Sequence, residues 1–162
     1  MNNKKQLIAA ILNFAVVLLA IAYIAFVFLD INVLHITLPE SNADGSNADA
    51  GLAIGAAIVL ALMIYFVFIP YAIVSIFAII NGAVGLSKAK KGEVLPKGLR
   101  IVGVIFKCIA LVADAFFLFT MLDGGLIVWG VALLLLTIGT IASVVFDFLA
   151  AKKVVAETAA EL

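Results

Sequence analysis

The sequence has very few of the side chains that most catalytic and metal sites need. Its 162 residues include one cysteine, Cys108, and one histidine, His35. A single cysteine excludes an intrachain disulfide, and a lone histidine without nearby metal-ligand spacing is typical of a surface residue. No Ser–His, Cys–His or HExxH arrangement lies in the apolar stretches. We therefore expect no enzyme activity, no metal and no cofactor.

Charge is also scarce, and this sets the class of protein. Charged residues make up 12% of the chain and hydrophobic residues 67%, against about 25% and about 45–50% in soluble domains. Such a surface needs the lipid bilayer as its solvent. The formal net charge is zero and gives no reason to propose nucleic acid as a partner. The chain is too short for a separate soluble domain beside four membrane helices, so residues 1–162 are predicted to form one transmembrane domain.

Two of the polar segments between the apolar stretches contain no basic residue. Residues 30–50 and the turn around Asp123 carry acidic residues only, whereas all Lys and Arg except Lys107 lie in three other segments. Those segments contain Lys4, Lys5, Lys88, Lys90, Lys91, Lys97, Arg100, Lys152 and Lys153. The positive-inside rule then predicts that both termini are cytoplasmic. The small size, the short loops and the lack of glycosylation sites indicate the plasma membrane of a prokaryote.

The apolar stretches predict an all-α integral membrane protein with four transmembrane helices in an antiparallel bundle. We place the helices at about residues 7–29, 51–81, 101–121 and 126–150, with an external loop at 30–50 and a cytoplasmic loop at 82–100. The first stretch is longer than the apolar part of a signal peptide, so we expect it to be retained.

The second predicted helix has two local features. Pro70 lies near its middle and cannot donate a hydrogen bond to the carbonyl of Phe66, which predicts a kink. This kink is either a hinge or a static bend absorbed by packing, and proline is common in membrane helices without such a role. Gly51 and Gly55 have a small-residue spacing that allows close helix contact, within the bundle or between copies.

Lys107 and Asp147 lie within apolar stretches, where ionisable groups are costly. At about 1.5 Å per residue, Lys107 lies about 10 Å inside from Arg100, and Asp147 about 7 Å inside from Lys152. Antiparallel neighbours would bring the two to one level, so we predict an ion pair between them. Asn13 and Asn81 lie at similar depth and are expected to join by hydrogen bonds. The alternative is that Lys107 extends to the interface without a partner.

Asp114 lies deeper, about 21 Å from Arg100 along the same helix. Tyr71, Ser75, Thr137 and Thr140 are placed at its depth as hydrogen-bond donors. One interpretation makes Asp114 a carboxylate that handles a proton or a cation inside the bundle. The other, which we favour, is a protonated acid that fixes helix packing, because no second site for transport is visible in the sequence.

The function that follows is a non-enzymatic small membrane protein acting through protein–protein contacts, as an accessory, assembly or protective subunit. Its partners would be the lipid bilayer and either another membrane protein or further copies of itself. Residues 31–39, Gly51 with Gly55, and the basic segment 88–100 are the expected contact surfaces. The alternative is a small oligomeric ion or solute transporter, or channel, that uses Asp114.

Overall fold

Four long helices make up the described part of the chain. The computed structural model describes residues 2–33, 58, 60–93, 95–123 and 127–160, and it places the side chains of 4–29, 58, 60–93, 95–121 and 127–150. The helices are α1 (Asn2–Val33), α2 (Leu60–Lys90), α3 (Lys97–Asp123) and α4 (Ile127–Ala160). Each contains a segment long and apolar enough to cross a membrane, so the predicted all-α class and the four spans are confirmed.

The helices extend past several of the bounds predicted from the sequence. Helix α2 continues through residues 82–90, which were predicted to be loop, and α3 begins at Lys97. Helices α1 and α4 also run beyond their predicted ends at 29 and 150. Most of the predicted external loop, with His35, and the start of the predicted second helix, with Gly51 and Gly55, lie outside the described residues, so the predictions about these residues stay untested.

The helices pack in a closed ring in chain order. Helix α1 contacts α2 and α4, and α3 contacts α2 and α4. Gln6, near the start of α1, bonds the carbonyl of Gly85, near the end of α2, while Lys107, early in α3, bonds Asp147, late in α4. Neighbouring helices therefore run antiparallel. Their inner ends, meaning the ends at Gln6, Gly85, Arg100 and Asp147, lie at one level.

Helix α2 is able to continue beyond residue 81 because its glycines pack closely against α1. A Cβ on Gly82 would lie 2.9 Å from the ring of Phe14, and one on Gly85 would lie 3.5 Å from the Cβ of Ala10. The buried Gln6 side chain donates a 3.1 Å hydrogen bond to the Gly85 carbonyl. These contacts offset the low intrinsic helix propensity of glycine.

A Schellman motif ends α2. Gly92 has φ = 75°, its N–H bonds the carbonyl of Ala89 at 3.3 Å, and the N–H of Glu93 bonds that of Lys88 at 2.9 Å. Glycine takes this left-handed conformation without the cost of a Cβ clash. The Lys88 ammonium also donates to the exposed Glu93 carboxylate, and this bond and charge lower the pKa of Glu93.

Pro70 follows a π-helical turn at Ile64–Phe68. The N–H of Ile69 bonds the carbonyl of Ile64, one residue further back than in an α-helix, and Pro70 then occupies the first turn of the regular helix Ile69–Lys90. The wider turn places proline where its missing N–H costs little. The π-helical turn thus accommodates Pro70 within the helix, while the hinge role of Pro70 stays a prediction.

Candidate functional site

The charged residues within the four spans face the interior of the bundle. Lys107 is 1% exposed, Asp114 0% and Asp147 2%. Over residues 7–29, 60–87, 101–121 and 127–149, every exposed side chain that the structure places is uncharged. Membrane helices commonly arrange ionisable groups in this way, since lipid cannot solvate them. The charged side chains of these ranges therefore lie inside one copy of the chain and not on its lipid-facing surface.

Lys107 and Asp147 form the predicted ion pair, in what we call the inner cluster: Asn13, Lys107, Ser143 and Asp147. The Lys107 ammonium donates to Asp147 Oδ2 at 2.7 Å, to Ser143 Oγ at 2.7 Å and to Asn13 Oδ1 at 2.6 Å. A lysine ammonium has three N–H groups, and each has an acceptor here. Lys107 is thus held by partners inside the bundle and does not extend to the interface.

Asn13 connects α1 to this cluster through hydrogen bonds. Its Nδ2 donates to Asp147 Oδ1 at 3.3 Å and to the carbonyl of Ala9 at 2.8 Å, while its Oδ1 accepts from Lys107. Both Asp147 oxygens therefore have a donor. A buried network in which every member is bonded fixes the relative positions of the helices that supply it.

A small polar pocket lies beside the inner cluster at the inner ends of the helices. It has room for about one water molecule. Its lining combines apolar side chains with polar ones, namely Gln6, Asn13, Asn81, Arg100 and Asp147. Arg100 is buried and its Nη2 approaches the Leu95 carbonyl at 3.5 Å. This pocket connects the basic end of the bundle to the Asp147 carboxylate.

Asn81 does not join the inner cluster as predicted. Its Nδ2 donates instead to the carbonyl of Leu99 at 3.3 Å, and its buried Oδ1 has no hydrogen-bond partner among the described residues. The depth predicted for Asn81 was suitable, but its position around α2 directs the amide toward the start of α3. Depth alone does not determine which neighbour a helix face meets.

A second polar cluster surrounds Asp114, and we call it the central cluster: Tyr23, Tyr71, Asp114, Thr137 and Thr140. Asp114 Oδ2 accepts a 2.5 Å hydrogen bond from the Tyr71 hydroxyl and a 3.0 Å bond from the Thr137 hydroxyl. The Tyr71 oxygen also lies 3.2 Å from Thr140 Oγ1. Tyr71, Thr137 and Thr140 thus contact one another or Asp114, whereas Ser75 does not contribute a bond to the carboxyl.

Two atoms of the central cluster are buried without a hydrogen bond. They are Asp114 Oδ1 and the hydroxyl oxygen of Tyr23, which find no partner in the part of the chain that the structure describes. Tyr23 and Asp114 make no hydrogen bond to each other, although the carboxyl acts electrostatically on the Tyr23 hydroxyl. Buried polar atoms are nearly always bonded, so each of these exceptions requires an explanation.

Buried polar side chains link the two clusters, whereas apolar side chains lie between the central cluster and the outer ends of the helices. Asp147, Ser143 and Thr140 follow one another at helical spacing along one face of α4 and are all buried. Toward the outer ends the buried core is apolar, with Val27, Met63, Val67, Met121 and Leu133 at 1% exposure or less. Among the side chains that the structure places, the line of buried polar groups along α4 therefore leads from Asp114 toward the inner end.

The sequence patterns did not identify Ser143, Gln6 or Tyr23 as buried polar residues of these sites. The spacing of Ser143, one helical turn before Asp147, is a signal that could have identified it. For Gln6 no comparable signal exists, because its partner is a backbone carbonyl on another helix. Within the described ranges, no group of three or more His, Cys, Asp or Glu side chains is arranged to hold a metal ion.

No family model, curated protein or solved structure matches the chain. The function is therefore inferred from the geometry of the two clusters and from the charge pattern of the sequence.

Proposed function

We propose that the protein is a non-enzymatic component of a prokaryotic plasma membrane, acting through contacts with another membrane protein or with further copies of itself. Both termini are cytoplasmic in this proposal, because the basic residues gather at the inner ends of the helices. An accessory, assembly or protective subunit of this kind needs no catalytic residues.

One observation supports this class above the others. Three buried charged side chains, Lys107, Asp114 and Asp147, contact one another or hydroxyl groups, and the pocket beside the inner cluster has room for about one water molecule. A solute pathway within a single copy needs more space than this. A pathway between copies would need polar exposed faces. Here the exposed faces of the spans are apolar and suit lipid or another apolar helix surface.

Proton and cation flux in proteoliposomes tests the proposal. We expect neither the wild-type protein nor Asp114→Asn to conduct above protein-free liposomes, with both reconstituted at equal density and shown to be folded. Flux in the wild type that is lost in Asp114→Asn would contradict the proposal and favour the transporter.

Mass measurement on complexes extracted directly from native membranes tests the contacts. We expect a species of defined stoichiometry containing either a second copy or a fixed partner. The natural Cys108 thiol is exposed on α3, so oxidative crosslinking, with Cys108→Ser as the control, reports whether α3 lies at an interface between copies. A monomer without a bound protein at every detergent concentration would contradict this part of the proposal.

The small oligomeric transporter or channel is the second candidate function. It is favoured by the line of polar side chains that joins the inner pocket to Asp114, and by the free Oδ1 of that carboxyl. The apolar outer half of the core is the observation against it, since a conducting state would have to open that half of the bundle.

A further inference from the structure

Among the side chains that the structure places, no positive charge is available to compensate an ionised Asp114. Lys107 lies about two turns earlier on α3, and its three donors are used by Asn13, Ser143 and Asp147. Arg100 lies beyond Lys107, at the inner pocket. Burying a carboxylate without a counterion is costly, and a carboxyl in such a place generally takes up a proton instead.

The hydrogen bonds of the central cluster leave Oδ1 open for that proton. Asp114 Oδ2 accepts from the Tyr71 hydroxyl at 2.5 Å, and it lies 3.0 Å from the Thr137 hydroxyl, which also bonds the Leu133 carbonyl at 2.8 Å. Oδ1 is buried without a partner, judged over the residues whose side chains are placed. An ionised oxygen in that position would carry charge without a donor, whereas a protonated carboxyl is neutral.

We propose that Asp114 is a proton-binding site, with the proton carried on its buried carboxyl and exchanged with the aqueous phase at the inner ends of the helices. The carboxylate takes up one proton from hydronium, which leaves as water, and the charge of the side chain changes from −1 to 0. The site goes beyond the proposed function, since it requires neither a partner protein nor net transport.

The surroundings of Asp114 fit a proton better than a larger cation. The titratable groups facing it are Tyr23 from α1 and Tyr71 from α2, while α4 contributes the hydroxyls of Thr137 and Thr140. The Tyr71 and Thr137 hydroxyls direct their hydrogens at Oδ2, and among the described residues no group of three metal-ligating side chains lies around Asp114, as cation coordination would need.

The structure also indicates the side from which this proton is exchanged. Thr140 and Ser143 lie between Tyr71 and the inner cluster, and the inner pocket continues from Asp147 to the basic end. On the outer side, Met63, Met121 and Leu133 are buried apolar side chains. Exchange along the polar side therefore proceeds from the inner aqueous phase.

Infrared spectroscopy of the protein in lipid nanodiscs tests the site at neutral pH. We expect the C=O stretching band of a protonated carboxylic acid, at a higher frequency than carboxylate bands, and we expect Asp114→Asn to abolish it. Asparagine is neutral and close in shape to the protonated acid, so the variant should keep its fold, which circular dichroism verifies. Absence of the band in the wild type, or its persistence in Asp114→Asn, would overturn the proposal.

The hydrogen bond from Tyr71 has its own matched comparison. Tyr71→Phe should shift the band, because the Asp114 carboxyl loses this bond at Oδ2, while Tyr65→Phe should leave it in place, because Tyr65 is exposed at the membrane-facing surface. Equal spectra for the wild type and Tyr71→Phe would overturn the assignment of the band to Asp114.

Transfer into deuterated buffer tests the direction of access, since exchange of the proton shifts the same band. We expect Thr140→Val, which keeps the shape but removes the hydroxyl, to slow this shift several-fold. Met121→Leu, a conservative change on the outer side, should leave the rate unchanged. If Met121→Leu alters the rate and Thr140→Val does not, inner access is overturned. Neither outcome depends on the flux and mass measurements, so the proton site and the proposed function can fail separately.

Discussion

The ammonium of Lys107 is bonded to one carboxylate, one hydroxyl and one amide oxygen, contributed by α4 and α1. Such a residue contributes to stability mainly because its removal would leave a buried carboxylate without its counterion. The Asp147 carboxylate is 2% exposed, and without Lys107 the amide of Asn13 would be its one hydrogen-bond donor among the side chains that the structure places. The ion pair and its surroundings are therefore best tested together.

Lys107→Met should lower the free energy of unfolding in bicelles by about 3–5 kcal/mol, because it leaves a buried charge without its partner. The exposed Lys97, also on α3, provides the control, and Lys97→Met should have little effect. The double variant Lys107→Met/Asp147→Leu should recover most of the loss, since it removes both charges. A loss no larger than that of Lys97→Met would show that the ion pair contributes little to stability.

The Tyr71 hydroxyl donates to the Asp114 carboxyl, and the exposed hydroxyl of Tyr65 on the same helix provides a matched control. Tyr71→Phe removes the donor to Asp114 and should cost about 1–3 kcal/mol of unfolding free energy. Tyr65→Phe removes a hydroxyl from the same helix at a residue that is 68% exposed, and its effect should be near zero. Equal stability of the two variants would mean that the bond to Asp114 is energetically neutral.

Much of the site could be predicted from residue depth. Counting residues from the basic flanks placed Lys107 opposite Asp147 and placed Tyr71, Thr137 and Thr140 beside Asp114, because rise per residue is nearly constant in a helix. Rotation about the helix axis could not be obtained in this way. Asn81 therefore faces Leu99 rather than Asp147, and the closeness of Tyr23 to Asp114 became evident only from the packed structure.

At the scale of helices, close packing of α2 against α3 depends on Gly103. A Cβ at Gly103 would overlap the side-chain nitrogen of Asn81, which is bonded to the Leu99 carbonyl. Sequence patterns do not reveal such contacts, because glycine in an apolar helix is equally common where nothing approaches it. The same limit explains why residues 82–90 were predicted to be loop, although contacts of Gly82 and Gly85 with α1 support a helix there.

Gly103→Ala should destabilise the protein by about 1–3 kcal/mol, the usual cost of overpacking, measured by thermal unfolding in detergent. Gly98→Ala, on the same helix with nothing within 4 Å of its Cβ, should be neutral or stabilising by up to about 1 kcal/mol.

A second substitution identifies the atom responsible. Shortening the neighbour in Asn81→Ala/Gly103→Ala should relieve the overlap, so the loss caused by Gly103→Ala should be smaller in an Asn81→Ala background. An unchanged loss in that background would show that Asn81 is not the obstructing group.

For the whole molecule, the prediction concerns orientation in the membrane. In a Cys108→Ser background, a cysteine at Ser87, exposed near the inner end of α2, should react with a membrane-impermeant maleimide only after the cells are opened. A cysteine at Ser46, in the predicted external loop, should react in intact cells. The reverse pattern would place the termini outside and contradict the positive-inside interpretation.

The inner cluster combines side chains from α1, α3 and α4, and these helices leave the ribosome at different times. Asn13 is inserted early, Lys107 follows, and Asp147 emerges only with the last helix. Until then the lysine ammonium lies in the bilayer without a carboxylate, which lipid does not tolerate well. We therefore expect a nascent chain that stops after α3 to be retained by the insertion machinery or degraded. Arrival of α4 would then be the step that releases the four-helix bundle into the membrane.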